Sequence, residues 1–116
     1  MIEVLIGCMI PLLITTDTLP EYKECMEVAS KVEYVLEHTD LVQRYFKEED
    51  ILRALGIIYC ESSGKAGAVG ENTNGTQDVG LWQFNDDTWA WLTPKLGIIS
   101  NRKNPEVSTA VASWLV

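Results

Sequence analysis

Two acidic residues in the middle of the chain are placed so that they could act together on one substrate. Glu61 follows an apolar stretch with helical character, and Asp78 follows a turn rich in glycine and asparagine. A hairpin in this region could fold one carboxylate back towards the other. A carboxylic acid beside an ionised carboxylate suits the cleavage of a bond between two sugars. The sequence therefore predicts Glu61 and Asp78 as catalytic residues.

The position of Glu61 favours it as the acid of the pair. Its predicted place at the C-terminal end of an apolar helix puts it at the negative end of the helix dipole. Burial among apolar neighbours also disfavours an ionised carboxylate. We therefore expect a partly desolvated Glu61 that donates a proton to a glycosidic oxygen. The alternative is a solvated glutamate at a helix end.

Asp78 has two interpretations that the sequence leaves open. As a second carboxylate across the cleft, it would stabilise positive charge at the anomeric carbon, attack that carbon or orient a water. As a turn residue, it would only bind nearby backbone amides.

Aromatic and amide side chains alternate after Asp78, which predicts a strand over residues 81–84. Trp82 and Phe84 would then pack into the core, while Gln83 and Asn85 would face the cleft. Amides suit a sugar because they both donate and accept hydrogen bonds.

Ser62, Trp82 and Trp89 complete the predicted substrate-binding set. Ser62 is expected to end the helix and bind Glu61, and Trp89 or Trp91 could stack on a sugar ring. Gly80 is expected to let the strand approach the helix that carries Glu61.

The remaining pattern predicts an α+β fold, mostly helical, with a small antiparallel hairpin beside the cleft. Apolar spacing and capping residues predict the helices, with Asn85 or Asp86 as one cap and Asn104 as another, and Asn74-Gly75 predicts the hairpin turn. They are expected over residues 20–38, 41–46 and 49–61, from residue 86 until Pro94 limits the helix, and from residue 105 onward.

Composition narrows the function further. The net charge of −8 argues against nucleic acid as a partner. The three cysteines and single histidine show no metal-site spacing, so no metal or other cofactor is predicted. At most one disulfide is expected, with Cys60 as a buried small hydrophobe on the helix before Glu61.

Residues 1–18 form an apolar segment before a single predicted domain at residues 19–116. The apolar run is too short for a stable membrane span. It lacks the basic start of an ordinary signal peptide. A weak signal or anchor, the start of the core and a remnant of a longer upstream region all remain open.

The motif resembles that of the lysozyme superfamily. Glu61-Ser-Ser-Gly followed by Gly80-Leu-Trp-Gln-Phe-Asn85 is similar to the pattern of soluble lytic transglycosylases and goose-type lysozymes. The Glu–Asp interval and the polar run between residues 72 and 85 also resemble c-type lysozymes. The c-type disulfides are absent. The tyrosine of the transglycosylases' later Tyr-Asn-Ala-Gly motif is absent as well, because the sequence ends before it and inside a predicted helix, so we expect a fragment or an unusually short member.

This resemblance implies a lysozyme-like fold and cleavage of peptidoglycan between N-acetylmuramic acid and N-acetylglucosamine. It implies that Glu61 is the proton donor and that Gln83 and Asn85 lie in the sugar subsites. Hydrolysis and lytic transglycosylation both remain open, with Asp78 favouring hydrolysis. An extracellular, periplasmic or virion-associated location is expected, and the oligomeric state is left open.

Two other functions fit the sequence. Chitin is a neutral polymer that matches the acidic charge better than peptidoglycan does. A catalytically inactive lysozyme-like module, used for binding or as a structural part of a virion, is the alternative outside the enzymes.

Overall fold

The computed structural model of the protein describes residues 19–115, with side-chain surroundings described from residue 23 onward. The elements are α1 (Leu19–Leu36), α2 (Thr39–Tyr45), a 3₁₀ turn (Glu48–Asp50), α3 (Ile51–Ser62), β1 (Val69–Glu71), β2 (Gln77–Val79), β3 (Phe84–Asn85), α4 (Asp86–Leu96) and α5 (Pro105–Leu115). The predicted α+β fold, mostly helical with a small antiparallel sheet, is confirmed. The prediction for residues 1–18 lies outside the described residues. Within the described part, no helix is both long and apolar enough to cross a bilayer.

The core lies where α3 meets α1 and α2, where α2 meets α5, and where the sheet meets α4. Each of these elements contributes apolar side chains that exclude water, and burying such side chains is the main driving force of folding. The largest fully buried apolar residues are Val42, Ile58, Leu81, Leu92 and Val111.

Helix α3 has an apolar sequence, which predicts a buried helix, yet only one of its faces is buried. Ala54, Leu55 and Ile58 are buried, whereas 84% of Leu52 is exposed and Ile57 is also exposed. Positions four residues apart share one face of a helix, so a single face of α3 packs inward. The opposite face of α3 carries these two exposed apolar residues together with the charged Arg53 and Glu61, and it is open to solvent in the described part of the chain.

Two asparagine side chains cap the N-terminal ends of α4 and α5. The Asn85 Oδ1 accepts a hydrogen bond from the Asp87 N–H at 3.0 Å, which caps α4. The Asn104 Oδ1 accepts from the N–H groups of Glu106 and Val107, which caps α5. Asn104 is the cap that the sequence predicts, and of the two candidates Asn85 and Asp86 it is Asn85 that caps α4. Both caps satisfy amides that have no partner inside a helix.

Pro94 does not end α4, contrary to the sequence prediction. The helix continues through Pro94 to Leu96 and ends at Gly97, which has a φ of 68°. Because Pro94 lies in the last turn, its missing N–H removes a single hydrogen bond near a helix end that is already partly unpaired. The left-handed glycine therefore sets the boundary.

Trp82 joins the sheet region to the helices from inside the core. Trp82 and Phe84 are only 9% and 8% exposed, as predicted for core residues. The Trp82 ring stacks on Phe46, with a centroid separation of 5.5 Å. Its indole N–H donates to the Thr109 Oγ1 at 3.0 Å, and Thr109 is fully buried.

We predict that Thr109→Val destabilises the protein by about 1–3 kcal/mol, because the buried Trp82 N–H would lose its acceptor. Urea unfolding of the variant measures this loss. The same substitution in a Trp82→Phe background should have a much smaller effect, because no donor is left unpaired there. Equal losses in the two backgrounds would mean that the hydrogen bond contributes nothing.

Candidate functional site

Glu61 lies at the C-terminal end of α3, one residue before the helix ends. Ser63 follows in the left-handed conformation with a φ of 54°, and Gly64 continues the turn with a φ of 81°. The Ser62 side chain is buried, and its hydroxyl donates to the Ile58 carbonyl at 3.2 Å. Ser62 therefore binds its own helix and not Glu61, which corrects its predicted contact.

The predicted desolvation of Glu61 is wrong. The side chain is exposed and forms no hydrogen bond or ion pair with any described residue. Cys60 is also exposed and is a free thiol, although the sequence favoured a buried one. Both residues lie on the open side of α3, since only the face that carries Ile58 and Ser62 packs against other elements.

Asp78 lies in the middle strand of a three-stranded antiparallel sheet with the order β1-β2-β3. It pairs with Gly70 on one side and with Asn85 on the other. The turn between β1 and β2 contains Asn74 and Gly75, whose φ of 86° needs glycine. The predicted hairpin is thus present, with a third strand beside it.

Two amide side chains hold the Asp78 carboxylate. The Nδ2 groups of Asn72 and Asn85 donate to the Asp78 Oδ1 at 3.1 and 3.0 Å. The same two groups also donate to the Thr76 Oγ1. The second carboxylate oxygen, Oδ2, has no hydrogen-bond partner among the described residues. Asp78 is therefore fixed in orientation, and one of its oxygens is left for another contact.

Gln83 does not lie in a strand, so the prediction for residues 81–83 is wrong. These residues form a turn, Gln83 has a φ of 53°, and the strand is limited to β3. The Gln83 Nε2 donates to the carbonyls of Ala68 and Gly80 at 3.0 and 2.9 Å. The Gln83 amide donor therefore holds together the loop beside the sheet. The Asn85 side chain also has two structural roles, since it caps α4 and contacts Asp78.

The three tryptophans of this region lie at different depths. Trp82 is in the core, so we assign it to packing and no longer to substrate binding. Trp89 is partly buried and contacts Phe84 with a centroid separation of 5.3 Å. Trp91 is 59% exposed and lies under the Lys95 ammonium at 4.8 Å from the ring centroid. Trp89 therefore packs against the core, whereas most of the Trp91 ring is open to solvent.

Gly80 allows a close approach, but the partner differs from the predicted helix α3. A Cβ at Gly80 would collide with the backbone carbonyl of Arg102, in the loop before α5. Gly80 also has a φ of 92°, which side chains rarely adopt.

Alanine substitutions separate these two constraints on Gly80. We predict that Gly75→Ala, where φ is also positive but a Cβ has free space, destabilises the protein by about 1–2 kcal/mol. Gly80→Ala should exceed that loss by about 1–3 kcal/mol, because the Arg102 backbone must move as well. Chemical denaturation of both variants checks this, and equal losses would exclude the steric contribution.

An ion pair that the sequence analysis missed fastens the sheet to the loop before α5. The Arg102 guanidinium donates to the Asp86 Oδ1 at 2.7 Å and to the Phe84 carbonyl at 2.8 Å. The Asp86 Oδ2 accepts from the Gln77 N–H at 2.9 Å. The Gln77 amide, followed by the Arg102 guanidinium, lowers the pKa of Asp86 below its ordinary value of 3.8. Sixteen residues separate Asp86 and Arg102, so no local pattern signals their pairing.

The lowered pKa of Asp86 predicts a pH-dependent stability. The ionised carboxylate stabilises the folded state fully above pH 3.8, and this contribution disappears as the pH falls through the lower folded-state value. Asp86→Asn should therefore lower the melting temperature at pH 7, and the gap from wild type should close towards pH 2. Circular dichroism melts between these pH values measure the gap.

Asp87→Asn is the matched control for this experiment, because Asp87 also lies in the first turn of α4 but is exposed. Its melting temperature should follow that of the wild type far more closely. A gap for Asp86→Asn that stays constant with pH would contradict an ionisation effect.

The structure brings together only part of the predicted site. Asp78 and Asn85 are in direct contact, with Asn72 and Thr76 added to them. Both additions lie in the polar run before Asp78, so their type and position were a usable signal. Glu61 lies on a separate element, α3, and forms no hydrogen bond with any of these four side chains.

Helix α3 has an exposed glutamate at its C-terminal end and is followed by a small sheet with a fixed aspartate, and the family match identifies this part of the chain as lysozyme-like. The chain belongs to the Transglycosylase SLT domain family, whose match covers residues 42–116. Helices α3 to α5 and the whole sheet lie within this match, whereas α1 lies outside it. Neither the curated proteins nor the solved structures gave a significant match. Family membership supports a function on peptidoglycan in general.

Proposed function

We propose that this protein cleaves the β-1,4 bond between N-acetylmuramic acid and N-acetylglucosamine in peptidoglycan, with Glu61 as the general acid. The observation that carries the proposal is the place of Glu61 within the family match, at the end of α3 and free of protein partners in the described chain. A carboxyl group without a protein partner is available to a substrate oxygen.

The proposed reaction begins with proton transfer from Glu61 to the glycosidic oxygen as the bond to the muramic C1 breaks. The N-acetylglucosamine part leaves with a new 4-hydroxyl group. In the transglycosylase route, the ionised Glu61 then takes the proton of the muramic C6 hydroxyl while that oxygen bonds to C1. In the hydrolytic route, a water replaces the C6 hydroxyl. Family membership favours the first route, which forms a 1,6-anhydro product without a second carboxylate.

Asp78 supports either route in this proposal by its fixed orientation. The Asn72 and Asn85 amides occupy its Oδ1, which leaves Oδ2 for positive charge that develops at C1. The substrate lies outside the cytoplasm of bacteria, so an extracellular, periplasmic or virion-associated location belongs to the same proposal.

Replacement of Glu61 tests the proposal. Glu61→Gln should reduce the release of fragments from purified peptidoglycan by about 10²–10⁴-fold, because the amide cannot donate the proton. Glu49→Gln is the control: it removes the same charge from an exposed residue near the other end of α3. Equal activity of the wild type and Glu61→Gln would overturn the proposed acid.

The reaction products distinguish transglycosylation from hydrolysis, and the substrate range distinguishes peptidoglycan from chitin. Mass spectrometry should find 1,6-anhydromuramic ends, and reducing muramic ends would indicate hydrolysis. Digestion of chitin oligosaccharides tests the chitin alternative. A folded wild-type protein without turnover on either polymer would favour the inactive binding module.

A further inference from the structure

A cleft of about 360 Å³ lies between α1 and the end of α3. Helix α1 forms one wall, and the turn that follows Glu61 forms the other. The second wall begins at Ser62, the residue that follows Glu61 in the chain, whereas Glu61 itself is not among the residues that line the cleft. The lining residues are Glu27, Ser30, Lys31, Tyr34, Ser62, Ser63 and Lys65.

The two walls of this cleft are held tightly together. A Cβ at Gly64 would lie 2.5 Å from backbone atoms of Tyr34 and Val35, so α1 passes directly over the turn. The His38 Nε2 also forms a hydrogen bond with the Gly64 carbonyl at 2.9 Å. The position of α1 relative to Glu61 is therefore fixed by backbone contact, and the cleft is largely preformed.

The side chains of the cleft combine an aromatic surface with positive charge. Tyr34 is 46% exposed, and the Lys65 ammonium lies 5.7 Å from its ring centroid. Lys31 supplies a second ammonium group, against the single carboxylate of Glu27. Further carboxylates, those of Glu33 and Glu37, line a smaller neighbouring cleft.

The residues that line the cleft carry two positive charges and one negative charge, whereas the chain as a whole has a net charge of −8. An aromatic ring gives a sugar or an aliphatic group a surface to pack on, and ammonium groups bind carboxylates. Together these two features suit a ligand that carries a carboxylate on an amino sugar. Chitin has the amino sugar without the carboxylate.

We propose that this cleft binds the carboxylate of the muramic acid unit, either in its lactyl group or in the peptide attached to it. The proposal rests on the proposed function, in which Glu61 acts on the neighbouring glycosidic bond. Helix α1, which lies outside the family match, thereby becomes part of the substrate-binding surface and selects peptidoglycan over chitin.

Replacement of the two lysines of the cleft tests the proposal by a binding measurement that does not depend on turnover. Isothermal titration calorimetry compares Glu61→Gln with the triple variant that also carries Lys31→Gln and Lys65→Gln. The ligands are the N-acetylglucosamine–N-acetylmuramic acid disaccharide, the same disaccharide with its peptide, and a chitin oligosaccharide. The triple variant should bind the carboxylate-bearing ligand about 10-fold more weakly or worse, with unchanged binding of the chitin oligosaccharide.

The two muramic ligands identify the source of the carboxylate. Weaker binding of both indicates the lactyl group, and weaker binding of the peptide-bearing ligand alone indicates the peptide. Lys23→Gln with Lys47→Gln, in the same Glu61→Gln background, removes the same charge from exposed positions outside the cleft. The proposal is overturned by unchanged affinity for both muramic ligands, by an equal loss in this control or for chitin, or by no measurable binding of either muramic ligand to Glu61→Gln.

The proposed function can fail separately from this inference. If Glu61→Gln retains full activity while the lysine pair still controls binding, the acid is wrongly assigned and the cleft stands. If Glu61→Gln is inactive while the lysine pair has no effect, the proposed function stands and the cleft is not the carboxylate site.

Discussion

The arrangement of the sheet depends on the contacts that Arg102 makes. The three strands have only three, three and two residues, which is too little ladder for an independent sheet. Arg102 binds the Phe84 carbonyl and the Asp86 carboxylate, and its own backbone lies against Gly80. The Arg102 side chain is only 17% exposed, so its charge is screened less than that of an ordinary surface pair. One residue from the loop before α5 thus holds the strands that position Asp78.

A separate anchor positions Glu61. The turn after α3 lies under the backbone of α1, where Gly64 contacts Tyr34 and Val35. Asp78 and Glu61 therefore lie on different elements, and different tertiary contacts hold each of these elements in place. Because Glu61 is exposed, the protein does not shield it from water. A polymer lying along the end of α3 would exclude that water, so the environment of the proton transfer would be completed by the substrate.

The sequence was most informative where a residue acts through its immediate neighbours. The cap at Asn104 and the turn at Gly75 depend on local backbone geometry, so residue type alone predicted them, and it narrowed the cap of α4 to Asn85 or Asp86. The strand at residues 81–83 failed because alternation of aromatic and amide residues also occurs when Gln83 closes a turn. The burial of Glu61 and Cys60 failed for another reason. An apolar helix predicts burial, but which face is covered depends on elements distant in sequence.

The tertiary contacts that the sequence could not reveal join distant positions. Arg102 reaches Asp86 over 16 residues, and His38 reaches Gly64 over 26 residues. Neither pair belongs to a repeating pattern, so only the folded chain identifies them. Gly80 was correctly predicted to allow a close approach, but its partner could not be named for the same reason.

The acidic charge of the chain is compatible with a substrate that carries carboxylates. Charges on the protein surface are screened over about 8 Å at physiological ionic strength, so the net charge of −8 acts weakly on a ligand already in contact. The groups within that distance decide the binding, and the cleft beside the turn after Glu61 carries two lysines against the single carboxylate of Glu27. Long-range repulsion would slow the encounter with an anionic polymer, whereas the local ammonium groups would still favour its carboxylates once bound. The overall charge therefore affects the rate of association with an anionic polymer, and it does not determine which sugar the protein binds.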